Sequence, residues 1–210
     1  MANLQFNHFS AEHGLSQTVF NTIFQDRKGY MWFGSYTGLL KFDGYKFISF
    51  TPDANKKNSI ADNSVTKICG DSVGNIWMLH DTYPALTKYN PQSESFTLYP
   101  YSDSNRTTGI PGYISDLITD RQGKVWIGTD AGLCFYDAAS DKMINLSEII
   151  YPDTLINRNI HCLMIDHKGL VWIATGAGIN IYDPVQKIHF HSNGSHPDLL
   201  IQLHFLLYPM

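Results

Sequence analysis

The residues able to do chemistry in this 210-residue chain fall into three sets: repeated aspartates, scattered histidines and cysteines, and a group of aromatic and polar residues. Four aspartates, Asp26, Asp71, Asp120 and Asp166, recur at near-even spacing. Repeated carboxylates invite a calcium site or a general acid–base pair. The alternating acidic residues of a calcium loop are missing, however, so one structural role used four times accounts for them. Nine histidines invite a metal centre, yet His189, His191, His196 and His204 gather near the C-terminus and the others are scattered, so no metal site is read. Cys69, Cys134 and Cys162 are odd in number and widely spaced, which excludes a disulfide framework or a zinc knuckle and leaves them as small core residues. Nucleophile-elbow, zinc-hydrolase and phosphate-cradling motifs are all missing, so the set of catalytic residues is empty and no cofactor is implied. The third set is Tyr36, His80, Asp81, Tyr83, Tyr113, Asp130 and Arg158. Aromatic faces stack on sugar C–H surfaces while carboxylate and guanidinium groups bind hydroxyls, which is the chemistry of reading an oligosaccharide or another small polar ligand.

The elements that must hold these side chains are set by a repeat. Asp-x-x-Gly-x-x-Trp occurs as Asp26, Gly29, Trp32; Asp71, Gly74, Trp77; Asp120, Gly123, Trp126; and Asp166, Gly169, Trp172, and it contains every tryptophan of the chain. The tryptophans lie 45, 49 and 46 residues apart, room for four short strands and their turns. Before each Asp, positions −6, −3 and −2 are apolar, as in Ile114, Leu117 and Ile118, and this predicts a first strand covered on both faces. Asp-x-x-Gly predicts a tight hairpin: the carboxylate caps turn N–H groups and glycine accepts positive φ. A second strand carries the Trp, a third ends at Phe42, Tyr89, Tyr136 or Tyr182, and a fourth, as in Phe47–Phe50, alternates like a half-solvated edge. The second unit breaks the pattern. It has His80-Asp-Thr-Tyr-Pro84 in place of a tight turn, a two-residue insertion.

Four-stranded units near 45 residues, each with a large aromatic that needs a neighbour to cover it, predict an all-β fold, a β-propeller of antiparallel blades. The reading is a strand region over 1–13, blades over 14–53, 54–100, 101–148 and 149–191, and an atypical tail or truncated fifth blade over 192–210. Leu4–Phe9 alternates well enough to be a ring-closing strand. Loops joining second to third strands, and one blade to the next, gather on one end of a propeller, and the seven candidate side chains are expected there. The irregular loop of the second blade is the foremost candidate, since breaking a local rule is expected where function is grafted on.

The segments Phe24-Gln-Asp-Arg-Lys-Gly-Tyr-Met-Trp-Phe-Gly34, Gly38-Leu-Leu-Lys-Phe-Asp-Gly44 and Ile160-His-Cys-Leu-Met-Ile-Asp-His-Lys-Gly-Leu-Val-Trp-Ile173 resemble the two-component regulator propeller repeat. Phe9-Ser-Ala-Glu-His-Gly-Leu-Ser-Gln17 resembles the start of the sensor region in that family. The resemblance implies part of a seven-bladed propeller from the periplasmic sensor half of a Bacteroides-type hybrid histidine kinase. It also implies a homodimeric receptor whose membrane helix and kinase lie beyond this chain.

Composition agrees with a β-rich, turn-rich domain, with 13% aromatic and 16% charged residues. A net charge of −4 without a basic run removes the counterion-release attraction that nucleic-acid binding needs. The start of the chain has neither a basic segment nor an apolar one, so no secretion signal is read in it. The functional expectation is a non-enzymatic periplasmic ligand sensor. A propeller lyase or hydrolase, with Asp81 and Asp130 facing each other, and a protein-interaction scaffold are the alternatives.

Overall fold

The computed structural model describes residues 8–15, 19–53, 59–82, 85–102, 109–146, 155 and 157–192. Seventeen strands among them form four sheets. Blade 1 is β1 (Thr22–Gln25), β2 (Met31–Ser35), β3 (Gly38–Phe42) and β4 (Phe47–Phe50). Blade 2 is β5 (Val65–Gly70), β6 (Ile76–His80), β7 (Ala85–Asn90) and β8 (Ser95–Ser102), with the two-residue β9 (Ile110–Pro111) added in parallel to β8. Blade 3 is β10 (Ile114–Thr119), β11 (Val125–Thr129), β12 (Gly132–Asp137) and β13 (Lys142–Asn145). Blade 4 is β14 (Ile160–Ile165), β15 (Val171–Thr175), β16 (Gly178–Asp183) and β17 (Ile188–Ser192). Within each blade the strands follow one another as an antiparallel meander, apart from β9. First strands of successive blades contact one another extensively, so they converge on the axis while fourth strands splay outwards.

The repeat's aspartate makes the hairpin and holds the tryptophan. One oxygen of Asp120 accepts the N–H groups of Gln122 (3.0 Å) and Lys124 (2.9 Å), and the other accepts the indole N–H of Trp126 at 2.9 Å. Asp26, Asp71 and Asp166 do the same, with indole bonds of 2.8, 3.0 and 2.9 Å. The turn glycines Gly29, Gly74, Gly123 and Gly169 sit at φ of 87°, 93°, 80° and 86°, where a side chain would be strained.

Packing between blades is directional. Trp32 leaves blade 1 and lies 5.6 Å from the ring of Tyr89 on blade 2; Trp77 reaches Tyr136 at 4.6 Å, and Trp126 reaches Tyr182 at 5.7 Å. These three indoles are fully buried, each in a separate core between two blades. Position −3 of each first strand faces the preceding blade and position −2 the following one. Ile68, Leu117 and Leu163 are therefore buried, and Phe24, Cys69 and Ile118 pack into the next interface.

In this geometry the inner blades cover both faces of their first strands and the two end blades cover one. Ile23, at −3 of blade 1, is 61% exposed, and Met164, at −2 of blade 4, is 54% exposed, because each faces outwards from an end of the arc. Trp172 is likewise only half-buried. At the other end, the expected strand Leu4–Phe9 lies largely outside the described residues. From His8 the chain is not in a strand and enters a single 3-10 turn over Ala11–His13. The expected tail lies outside the described residues from 193 onwards.

Polar ties reinforce the apolar interfaces. Lys88 of β7 donates to the Tyr136 hydroxyl (2.9 Å) and to Asp141 (3.0 Å), and Asp141 also accepts from Tyr99 (2.6 Å) and Tyr136 (2.7 Å). The hydrogen bonds from Tyr99 and Tyr136, with Lys88 beside them, hold the Asp141 carboxyl down at about 2. Among the described residues no helix is long and apolar enough to cross a membrane.

Replacing Asp120 with Ala leaves two turn N–H groups and a buried indole without their acceptor, and is expected to cost about 3 kcal/mol on the scale of charge-assisted hydrogen bonds. Asp166→Ala, beside the half-buried Trp172, is expected to cost about half as much at most. Urea unfolding of the two variants side by side checks that order.

Candidate ligand-binding face

The hairpins between second and third strands are shaped by the residue three places after each Trp. In blades 1, 3 and 4 it is a hydroxyl. Ser35, Thr129 and Thr175 donate to the carbonyls of Gly38 (2.9 Å), Gly132 (2.7 Å) and Gly178 (2.9 Å), which closes a two-residue turn. In blade 2 this place is His80, and the connection to β7 is four residues long. Its Nδ1 lies 2.9 Å from the Ser64 carbonyl and its Nε2 lies 2.7 Å from Thr87 Oγ1, so both ring nitrogens are engaged and the side chain is buried. Burial pulls the imidazole below its usual value, against the opposing effect of the Ser64 bond and the Asp62 charge.

His80 is therefore a strand residue that anchors a longer loop, and the expectation that it reads ligand is corrected. Its bulk and two bonds replace the single hydroxyl that suffices for the short turns. Asp81, next in sequence, is exposed.

Three of the sequence candidates meet at the junction of blades 2 and 3. Asp130, in the turn between β11 and β12, accepts the main-chain N–H of Tyr113 at 2.8 Å, and its own N–H donates to the Tyr113 carbonyl at 3.0 Å. Gly112, at φ 75°, permits this: a Cβ there would collide with the Asp130 carboxylate. Tyr113 is 52% exposed and reaches the main-chain carbonyl of Asp81 through its hydroxyl at 3.4 Å. Its ring meets Tyr101 edge-on at 5.7 Å, and burial pushes the Tyr101 hydroxyl up to about 12. The result is a presented aromatic ring flanked by two acidic residues, one braced by the ring's own backbone.

The other candidates are placed apart. Tyr36 is 59% exposed in the blade 1 turn, and Arg158 is exposed in the segment before β14. Tyr83 lies outside the described residues, as do parts of the connections between blades.

Sequence reasoning missed the polar residues of the first strands. β5, β10 and β14 each shift register at the same place, leaving Thr66, Ser115 and His161 as bulged residues near the ligand-face end. Four places before the repeat Asp stand Thr22, Lys67, Asp116 and Cys162. Asp116 is buried, accepts the N–H groups of Leu117 and Leu163 at 2.7 Å each, and pairs with Lys67, so one carboxylate ties blades 2, 3 and 4. Burial draws the Lys67 ammonium below its usual value. Cys162 is exposed at this inner edge, which corrects its reading as a core residue. The available signal was a single Asp inside an otherwise apolar strand. Among the described residues, no group of His, Cys, Asp and Glu side chains is placed to hold a metal ion.

A recess of about 250 Å³ lies on the opposite end, between the Asp-x-x-Gly hairpins of blades 1 and 2, lined by Arg27, Lys28, Asn75, Asn90 and Gln92. Its chemistry is polar and mixed in charge.

Radially packed four-stranded sheets, each locked to the next by an indole, define an arc of a β-propeller. Residues 14–37, 108–131 and 154–177 match the family model of the two component regulator propeller, each segment ending in the turn after the Trp strand. The arc superimposes on the extracellular domain of BT3049, a B. thetaiotaomicron protein assigned to the hybrid two component systems. The TM-score is 0.71 at 25% identity, over 91% of this chain and 27% of that one. The chain thus spans about a quarter of that relative's length. Virginiamycin B lyase from Staphylococcus aureus shares the fold, with a TM-score of 0.57 at 11% identity over 84% of this chain and 56% of that one. No curated protein matches the chain.

Because the folded state holds His80 neutral and the unfolded state takes up a proton near 6.5, the contribution of His80 to stability is complete above that pH and declines as pH falls below it. His80→Gln is expected to be less stable at neutral pH but to lose less stability on acidification than the parent chain. Thermal unfolding midpoints at neutral and mildly acidic pH measure the difference.

Proposed function

We propose that this chain is part of the extracytoplasmic sensor propeller of a hybrid two-component system, and that it reads an oligosaccharide at the junction of blades 2 and 3. The match of three repeat segments to the two component regulator propeller model supports the first half of this reading. The second half rests on the site where the repeat's own rule is broken: a longer loop brings Asp81 to the surface beside Tyr113 and the braced carboxylate of Asp130. Tyr113 supplies a face for a sugar ring, and the two acidic residues supply acceptors for its hydroxyls. Tyr36 and Arg158 extend the same end of the propeller towards neighbouring subsites.

In this reading the chain performs no chemical step. A ligand that contacts the propeller differently in two arrangements of paired, homodimeric ectodomains shifts the balance between them, and a kinase beyond this chain registers the shift. Residence in the periplasm follows from that role. A catalytic reading, in which Asp81 and Asp130 act together on a bound sugar, has less support, because Asp130 is committed to the Tyr113 backbone.

Titration calorimetry against a panel of plant- and host-type oligosaccharides tests the proposal. A binder is expected to lose roughly tenfold in affinity on Tyr113→Ala, the scale of one stacking contact of about 1.4 kcal/mol. Tyr36→Ala, remote from the junction, is expected to weaken binding much less. Failure of every oligosaccharide to bind, or equal losses at both positions, would count against the site.

A further inference from the structure

The turn between third and fourth strands is capped by a carboxylate in blades 1, 3 and 4 and by an amide in blade 2. Asp43 accepts the N–H groups of Tyr45 and Lys46 at 2.9 Å each, Asp183 those of Val185 (2.8 Å) and Gln186 (3.0 Å), and Asp137 that of Ser140 at 3.2 Å. In blade 2 the same place is held by Asn90, whose Oδ1 accepts from Gln92 (2.8 Å) and Ser93 (3.2 Å). The cap is kept while its charge is lost, and an amide NH2 donor stands where the second carboxylate oxygen would be.

Asn90 lines the recess between the Asp-x-x-Gly hairpins of blades 1 and 2, together with Arg27, Lys28, Asn75 and Gln92. The recess exists because these two hairpins stand apart. Between blades 2 and 3 the corresponding turns touch: Ser72 donates its N–H to the Gly123 carbonyl at 3.0 Å, and a Cβ on Gly123 would fall 2.5 Å from the Ser72 backbone. A Cβ on Gly74, by contrast, would meet nothing within 4 Å. Arg27 spans the gap by donating from its guanidinium to the Ser72 carbonyl, a bond that uses one N–H and leaves the rest of the fork for a ligand.

Charge singles out this interface among the three. The residue after the repeat Asp is Arg27, Ser72 or Arg121, and the cap of the next blade's turn is Asn90, Asp137 or Asp183 in the same order, so a cation is matched with a neutral cap only between blades 1 and 2. Lys28 adds a second cation. Asp26, the one carboxylate of the lining, has its oxygens engaged by the Lys28 and Tyr30 N–H groups and the Trp32 indole, and Glu94 of the Asn90 turn lies outside the lining. We propose that this recess binds a small hydroxylated monocarboxylate, of the size of a single hexuronic acid. Arg27 and Lys28 take the carboxylate, and the Asn90 amide donates to a ring hydroxyl. Asn75, whose Nδ2 donates to Asp71 at 2.7 Å, offers its carbonyl oxygen to another. A volume of about 250 Å³ lies just under the roughly 300–1,000 Å³ of pockets for larger ligands, which suits one sugar ring. Two cations against one carboxylate leave a single positive charge, which a carboxylate balances and a phosphate monoester, at about −1.5 to −2, exceeds. The recess lies on the opposite end of the propeller from Tyr113 and Asp130, so this inference is independent of the ligand reading above.

The test is titration calorimetry of the full chain at physiological salt, where exposed charges are screened beyond about 8 Å. Glucuronate and galacturonate are the probes, glucose and galactose their uncharged counterparts, and glucose 6-phosphate the doubly charged comparison. A uronate is expected to bind with a Kd on the order of 1 mM or tighter, and the neutral sugars roughly tenfold more weakly or not at all. Arg27→Ala is expected to weaken uronate binding roughly tenfold. Asn90→Asp places in blade 2 the residue that caps this turn in the other blades, so the fold is kept, as an unchanged thermal midpoint would verify, while uronate affinity is expected to fall roughly tenfold. Tyr113→Ala is expected to leave uronate binding unchanged, which separates this site from the one at blades 2 and 3. No uronate binding at about ten times the expected Kd would overturn the proposal. So would equal affinity for uronates and neutral sugars, tighter binding of the phosphate, undiminished uronate affinity in Asn90→Asp, or its loss in Tyr113→Ala.

Discussion

A carboxylate shared between a turn and an indole is the constraint on which the rest of this molecule depends. In every blade the repeat aspartate closes the first hairpin with one oxygen and fixes the tryptophan ring with the other. The ring is then held at one angle before any neighbour arrives. An indole buries a large apolar area, but its N–H must find an acceptor when water is removed. The aspartate supplies one six residues away in sequence, so burial between sheets leaves no donor orphaned. Turn geometry, ring orientation and blade-to-blade packing are thus consequences of a single side chain.

With the indoles fixed, the blades can stack in only one sense, and polar contacts register them. The Asp116 carboxylate joins the first strands of three blades near the axis, Arg27 donates to the Ser72 carbonyl, and Ser72 donates to the Gly123 carbonyl at 3.0 Å. At the outer edge Lys88, Tyr99, Tyr136 and Asp141 share their hydrogen bonds across blades 2 and 3. The same two blades carry the irregular loop, so the most heavily braced interface underlies the candidate binding face. Rigid support beneath a variable loop is how loops acquire function without loss of the scaffold.

Much of the fold was legible because its signals are local or periodic. Gly29 and its equivalents announce hairpins by their conformational freedom, and Trp spacing announces the blades. The bond from Asp26 to Trp32 was not legible, since nothing in the spacing says that residues six apart face each other across a bulged hairpin. The apolar type of Ile23 and Met164 does not by itself tell an inner blade from an end one, since both kinds of first strand carry the same pattern and only the inner ones have a described blade on each side. The site was legible in part. Tyr113 and Asp130 come together as loop residues of adjacent blades, whereas His80 was read as loop because the short-turn pattern fails there, although the strand continues through it. Lys67 and Asp116 were passed over because a first strand was judged by its apolar positions alone.

One-way packing also has a temporal side. A chain emerging from a ribosome or a translocation pore delivers blade 1 first, with Trp32 presented towards residues not yet released. Each blade is finished only by its successor, so nascent-chain folding proceeds as a relay in which the most recently released sheet always shows an unsatisfied ring. Chaperones that recognise aromatic surface would meet the outgoing face of the newest blade at a place that moves along the chain at the pace of its synthesis.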